Sequence, residues 1–283
     1  MRFLITGASG MLGRDLQTVL AGREFTALTR AQLDVTDHVA VRAAVEGHDV
    51  VINAAAYTRV DEAETHEPQA AMVNAVGVGH LAKATAEIGA MIVQLSTDYV
   101  FDGSATAPYD EEAPTRPASA YGRTKADGER RALDSNPDGA FVVRTAWLYG
   151  EHGPNFAKTM LALGSARPEV SVVTDQVGQP TWTMDLARQI VTLIDSDAAP
   201  GIYHGTASGQ ASWFEFAQLV FELGGLDPAR VKPTDAASFV RPAPRPAYSV
   251  LGHDAWSEAG LAPMRDWRVA LREAFDTGAL RTP

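Results

Sequence analysis

A chain of 283 residues with 46% hydrophobic and 21% charged residues has the composition of a folded protein with a sizeable core, not of a disordered segment. A formal net charge of −11 disfavours nonspecific binding to nucleic acid or anionic membrane, and the lack of cysteine excludes disulfides, thiolate catalysis and Cys-ligated metals. No apolar run reaches the roughly 18 residues of a membrane span, and the first candidate strand begins at Arg2 with no room for a signal peptide, so a cytoplasmic setting is expected.

Arg2–Thr6 reads as a short buried strand, followed by a glycine-rich turn and a helical pattern over Met11–Ala21. A weaker strand at Phe25–Leu28 precedes a helix at Asp37–Glu46. Then come a strand at Asp49–Asn53 and a helix at Pro68–Ile88, whose proline sits near the start where a missing N–H costs little. A strand at Met91–Leu95, a helix at Ala120–Leu133 and a strand at Phe141–Arg144 complete the alternation. Strands alternating with helices over short connections predict an α/β fold, a doubly wound, Rossmann-like parallel sheet covered on both faces.

After Gly150 the segments shorten and prolines and tryptophans increase. Trp182–Ile194 and Ser212–Leu223 read as helices and Ile202–His204 as a strand. The run RPAPRP at Arg241–Pro246 cannot be helix or central strand, because its prolines remove backbone donors. The expected organisation is a dinucleotide-binding domain over residues 1–150, which also receives part of 181–204. A smaller, discontinuous α/β substrate domain is built mainly from 151–283.

Gly7, Gly10 and Gly13 recur every third residue in the turn after the first strand. The first N–H groups of a helix have no internal partner and, with the helix dipole, suit a phosphate. Glycine allows positive φ and close approach of a pyrophosphate. The spacing is looser than the G-x-G-x-x-G dinucleotide fingerprint, and no Gly-Lys-Ser/Thr follows to make a P-loop. After the second strand stand Thr29 and Arg30 in place of an acidic residue, which leans toward the 2′-phosphate of NADP.

Tyr121 and Lys125, four apart on a predicted helix, share a face. Taken alone this is a common surface pair. A carbonyl reductase, however, needs a proton donor opposite its hydride source, and an ammonium beside a phenol favours tyrosinate. Ser96-Thr97-Asp98 follows the strand at Met91–Leu95, at the strand end that faces the ligand crevice of such a sheet. Thr97 can offer a hydroxyl to a substrate oxygen. The histidines show no metal-binding spacing, Asp110-Glu111-Glu112 reads as a solvated loop, and Trp213, Phe214 and Phe216 read as helix core.

At these residues the chain resembles the dTDP-4-dehydrorhamnose reductases of the extended short-chain dehydrogenase/reductase superfamily. The likeness runs through TGASGMLGR, LDVTD, VINAAAYTRVDEAE, VNA, STDYVFDG, YGRTK, RTAWLYG, NFAKTM, DQVGQPT, GIYH and RPAPRPAYSVL, in order and over nearly the whole chain. The resemblance implies that Tyr121 donates the proton, Lys125 tunes it and Thr97 completes a triad. It implies that Gly7, Ser9, Gly10, Met11 and Leu12 line the pyrophosphate, that Asp34 and Val35 flank adenine, and that Ala54, Ala55, Ala56 and Tyr57 pack along the cofactor. Arg30, Tyr121 and Lys125 join that cofactor set. Thr97, Asp98, Trp147, Arg241 and Arg245 form the expected substrate set, with Arg116 and Arg144 as further candidate cations.

The implied reaction is reduction of the C4 ketone of dTDP-4-dehydro-β-L-rhamnose by NADPH, with NADH as an alternative, in a chain that can form a homodimer. Some family members hold magnesium at a dimer contact, but no residue here is assigned to it. Two rivals stay open: a reductase or epimerase of another nucleotide ketosugar, and a non-catalytic NADP-binding subunit like the regulatory subunit of methionine adenosyltransferase. Thr97-Asp98-Tyr99 lacks the Glu that related dehydratases use for elimination.

Overall fold

The computed structural model describes residues 1–280. Six parallel strands form its central sheet. They are β1 (Arg2–Thr6), β2 (Glu24–Leu28), β3 (Val50–Asn53), β4 (Met91–Thr97), β5 (Ala140–Thr145) and a last strand at Gly201–His204. The spatial order is last strand, β5, β4, β3, β1, β2. The chain leaves β1 to one side for β2 and returns to the other side for β3. The carboxyl ends of β1 and β3 therefore border a topological switch point, where open α/β sheets bind ligands.

The helices that cover the sheet are α1 (Met11–Val19), α2 (His38–Val45), α3 (Val60–Ala63), α4 (Glu67–Ala71), α5 (Gly77–Glu87) and α6 (Ala120–Ser135). Asp37 caps α2 by accepting from the amides of Val39 and Ala40. One face of the sheet packs Phe3, Ile5, Val93 and Val143 against α1 and the helix at Thr183–Ile194. The other packs Leu4, Val51 and Ile92 against α2, α5 and α6. A separate core gathers Tyr149, Phe216, Phe221 and Trp267 from the helices at Phe156–Ala166, Trp213–Leu223 and Trp267–Asp276 and their neighbours. Thus Thr183–Ile194 and Gly201–His204 belong to the body of the sheet although elements of the other core flank them in sequence.

The single helix expected over Pro68–Ile88 is divided. A π-turn at Met72–Val76 joins α4 to α5 and carries the buried Asn74. The Asn74 side chain accepts from the Tyr57 amide at 2.8 Å, and donates to the Tyr57 carbonyl and the Thr124 hydroxyl at 3.1 Å each. It therefore pins the Ala54–Tyr57 segment to α6. Apolar periodicity does not register such a turn, because one extra residue leaves both flanking helices amphipathic.

Arg144 is not a free cation. It lies on β5, 2% exposed, and forks onto Glu129 of α6 at 3.0 Å and 2.8 Å. Ser96 of β4 donates to the same carboxylate. Arg144 Nη1 also lies 3.4 Å from His204 Nε2. Because arginine only donates, Nε2 is the acceptor and Nδ1–H bonds the Gly252 carbonyl at 2.9 Å. Burial, reinforced by Arg144, lowers the His204 pKa to about 3, which keeps the ring neutral. Glu111, expected in a solvated loop, is instead buried beside this group. Its carboxylate lies 3.9 Å from His204 Nδ1 and accepts from the Ala255 amide at 3.3 Å.

Replacing Arg144 with Met would leave the Glu129 carboxylate buried without its partner, and should cost about 3–5 kcal/mol of unfolding free energy in urea titrations. Adding Glu129→Leu should recover part of that loss. A single-variant cost below about 1 kcal/mol would show that the pair does not hold β5 to α6.

Candidate active site

A cavity of about 720 Å³ runs along the carboxyl ends of β1, β3, β4 and β5. The glycine turn forms one wall, and its three glycines differ in what they permit. Gly7 has φ +67°, and a Cβ there would stand 2.6 Å from the Ala54 carbonyl and the Ala55 amide. A Cβ on Gly13 would collide with the Gly7 carbonyl oxygen. These two glycines let the turn close against β3 and against itself. A Cβ on Gly10 would meet only the Gly7 carbonyl oxygen, at 3.2 Å. Gly10 opens α1 with no side-chain cap, which leaves first-turn amides for a ligand.

Ser9, Met11 and Leu12 line the same wall, with Ala54, Ala55, Ala56 and Tyr57 beside them. Arg30, Asp34 and Val35 line the β2 side. The Asp34 carboxylate accepts from the Thr36 amide at 2.9 Å and hydroxyl at 2.8 Å, and these bonds hold its pKa below the usual range. The residues fit a dinucleotide: an uncapped helix start, a glycine open to the cavity, and in Arg30 a cation of the kind a 2′-phosphate needs. Magnesium is a different case. Among the described residues no group of three or more His, Asp or Glu side chains could hold a metal ion, so no step is assigned to one.

Thr97, Asp98, Tyr121 and Lys125 line the β4 side of this cavity. The start of α6 is capped by Ser119, whose hydroxyl accepts from the Gly122 amide at 3.1 Å. A Cβ on Gly122 would collide with the Tyr99 carbonyl oxygen, so this glycine lets α6 dock directly on the turn after β4. Lys125 is buried and donates to the Leu95 carbonyl at 2.5 Å. Desolvation lowers its pKa to about 8, opposed by the charge of Glu129 one turn on. Thr97 Oγ1 donates to Asp98 Oδ1 at 2.9 Å and accepts from the Tyr99 amide at 3.2 Å. Burial pushes Asp98 up to about 6.

The Tyr121 phenol lies above its ordinary range, raised first by desolvation and then by the Asp98 charge, with the Thr97 hydroxyl opposing. The expected lowering by Lys125 therefore does not govern the phenol here. Its stable form is the proton donor. Tyr99 packs edge-on against the Tyr121 ring, with centroids 5.7 Å apart.

Two buried oxygens of residues that line the cavity, Asp98 Oδ2 and Thr145 Oγ1, have no hydrogen-bond partner among the described residues. Thr145 stands opposite Thr97 in the β4–β5 register. Sequence reasoning passed over it, and also Gly122 and Asn74. The position of Thr145 at a strand end was the one available signal. Trp147 lines the cavity beside it. Trp213, expected as helix core, is half-buried and stacked on Trp147.

Arg241 and Arg245 do not line the cavity, but Arg245 lies 5.8 Å from the ring centroid of Tyr99, which does. Arg245 pairs with Asp61 of α3 at 2.9 Å, and Arg241 lies 3.8 Å from the same carboxylate. Asp61 also accepts from the Ala243 amide at 3.2 Å. The proline-rich strap is thereby fastened to the α3 side. Arg116 is exposed, and its backbone amide bonds Val100.

Residues 1–279 match the family described as the RmlD substrate binding domain. The chain is 51% identical to dTDP-4-dehydrorhamnose reductase of Streptomyces griseus, covering 97% of this chain and 93% of that one. It is 50% identical to dTDP-4-keto-6-deoxy-D-glucose reductase of Streptomyces niveus, covering 97% and 96%. The crystal structure of dTDP-4-dehydrorhamnose reductase from Bacillus anthracis in complex with NADP superposes with a TM-score of 0.94. It is 38% identical, and the match covers 98% of this chain and 99% of that one.

Gly10 and Gly13 should separate by assay. Gly10→Ala should fold with a melting temperature close to the parent, yet weaken binding of a nicotinamide dinucleotide by roughly tenfold or more, read by calorimetric titration. Gly13→Ala should lower the melting temperature. Parental dinucleotide affinity in Gly10→Ala would remove the turn from the site.

Proposed function

The chain belongs to the RmlD substrate-binding-domain family, and on that premise we propose that it reduces the C4 ketone of dTDP-4-dehydro-β-L-rhamnose to dTDP-β-L-rhamnose, with NADPH preferred and NADH as the alternative reductant. The observation that carries this reading is the convergence of Thr97, Tyr121 and Lys125 on the cavity that the uncapped glycine turn also lines. A module that only bound the dinucleotide would not need a buried lysine, a desolvated phenol and a strand-end hydroxyl in one place. The streptomycete relative named for dTDP-4-keto-6-deoxy-D-glucose favours a second reading, reduction of the C4 ketone of that sugar. Both readings share the carbonyl and the machinery. The corresponding assembly reading is a cytoplasmic homodimer, tested by light scattering.

Bound NADPH supplies the hydride. Tyr121 then donates its phenolic proton to the oxygen that becomes the C4 hydroxyl. Its raised pKa keeps that proton in place at neutral pH. The tyrosinate left behind is buried, and the Lys125 ammonium one turn along α6 is the charge that stabilises it. With a pKa of about 8, Lys125 is mostly charged at neutral pH. Thr97 orients the ketone oxygen. Its hydroxyl donates to Asp98 in this structure, and a carboxyl titrating at about 6 can take up a proton and release that bond. Arg245 lies over the ring of Tyr99 at the cavity edge, and Arg241 and Arg245 would meet the substrate diphosphate by exchanging their shared Asp61 carboxylate for it, because a phosphate offers each guanidinium a forked pair of acceptors.

Loss of NADPH absorbance with either ketosugar tests the reading directly. Tyr121→Phe should lower turnover by about 10²-fold or more while dinucleotide binding survives. A parental rate in that variant would refute the role. The pH profile of kcat/KM should fall as pH rises through about 8, where Lys125 loses its charge. Lys125→Arg stays charged, so any activity it retains should lack that limb.

A further inference from the structure

Trp147 has φ +46°, the one positive φ among the described non-glycine residues. A bulky side chain in that region costs strain, which persists only where surroundings hold it. We propose that Gly178 and Trp213 are positioning residues that lock the Trp147 indole at a fixed depth in the cavity, and so set the fit of the hexose ring against it. This rests on the ketosugar reading above, since a sugar's apolar face is what an indole at that end would meet.

Two contacts hold the ring and share one source, and a third holds the Trp147 backbone. Trp213 stacks on the indole with centroids 3.6 Å apart and planes 9° from parallel. Gly178 lies against its Nε1–Cε2–Cζ2 side: a Cβ there would stand 2.8, 2.5 and 2.7 Å from those atoms. The Thr181 amide donates to the Trp147 carbonyl at 3.2 Å. Gly178 and Val177 pair in a two-stranded ladder with Ala211 and Ser212. Ser212 is the cap of the helix that Trp213 begins, in a reciprocal capping box with Glu215. Phe156 packs on Trp213 with centroids 4.5 Å apart. One short ladder therefore delivers both the glycine and the stacking indole to Trp147.

Gly178 is not a glycine for backbone reasons. Its φ lies outside the left-handed region, so alanine suits the chain there. The three atoms that a Cβ would approach most closely all belong to the indole, and the indole cannot swing away without leaving Trp213. Gly178→Ala is thus a steric probe of the depth of Trp147. Displacement of about 1 Å in a substrate-positioning group can cost up to about 10²-fold.

The test is steady-state kinetics of the full chain with both substrates, with circular dichroism of the stacked indoles as a second readout. Gly178→Ala and Trp213→Leu should raise KM for the ketosugar roughly 10- to 100-fold and leave KM for NADPH within about twofold. Trp213→Phe keeps a ring to stack on and should restore most of the sugar affinity. The indole exciton couplet should be lost in Trp213→Leu and altered in Gly178→Ala. A parental ketosugar KM in Gly178→Ala and Trp213→Leu, or an equal rise in both KM values, would overturn the proposal. If the parent chain reduces no ketosugar, the reductase reading fails by itself. The couplet in Gly178→Ala then decides the clamp: an unchanged couplet would overturn it.

Discussion

The active site depends on one buried carboxylate. Glu129 accepts two bonds from Arg144 and one from Ser96, joining α6, β5 and β4 at a single point. Each of these residues has a neighbour at the cavity: Lys125 lies one helical turn before Glu129, Thr97 follows Ser96, and Thr145 follows Arg144. Removing two charges from water is expensive, and a forked ion pair with a third donor mainly offsets that expense. An apolar trio of the same volume could stabilise the fold as well. It would not fix the rotation of α6 about its axis, which decides whether Tyr121 and Lys125 face the cavity or the sheet. The pair is best understood as a device for register.

The strand–helix alternation was legible in the chain because buried parallel strands and amphipathic helices leave different periodicities. Arg2–Thr6 matches β1 residue for residue, and the glycine turn falls where a phosphate-binding turn belongs. That Thr97, Tyr121 and Lys125 share one cavity was legible for a related reason: strand ends and i, i+4 spacing are local features. What stayed hidden depends on long-range contacts. Arg144 and Arg245 look alike in sequence as cations near motifs. Only the fold brings Glu129 to the first and Asp61, 184 residues away, to the second. Glu111 looked solvated because its neighbours in sequence are polar. It is buried by Ala255 and His204, which arrive from the far half of the chain. Thr145 gave no motif, since an unpartnered hydroxyl becomes visible only once the cavity exists.

Desolvation sets the protonation states more than pairing does. Burial is the first cause that raises Tyr121 and Asp98 and lowers Lys125, so each is pushed toward its neutral form. From the i, i+4 spacing alone, the Tyr121–Lys125 charge interaction comes first. In the proposed reaction that interaction would matter most after proton transfer, when a buried tyrosinate would exist to be stabilised. Before transfer, the site holds a neutral donor, as a reductase requires. The same environment tunes the hydroxyl of Thr97 through Asp98, which titrates close enough to neutrality to exchange donor and acceptor roles.

The acidity of the whole chain, at −11, is compatible with anionic ligands because the site does not rely on side-chain cations at its phosphate wall. Backbone amides at an uncapped helix start carry partial positive charge that no carboxylate elsewhere neutralises. A lysine there would be drawn toward the surplus of acids, as Arg245 is drawn to Asp61. Amides fixed by a strand and a helix cannot be drawn away. Gly7 and Gly13 let that wall close, and Gly10 keeps it open to the cavity. All three glycines line the cavity, and the three-residue spacing divides them by what their backbones permit: a Cβ would collide at Gly7 and Gly13, and has most room at Gly10.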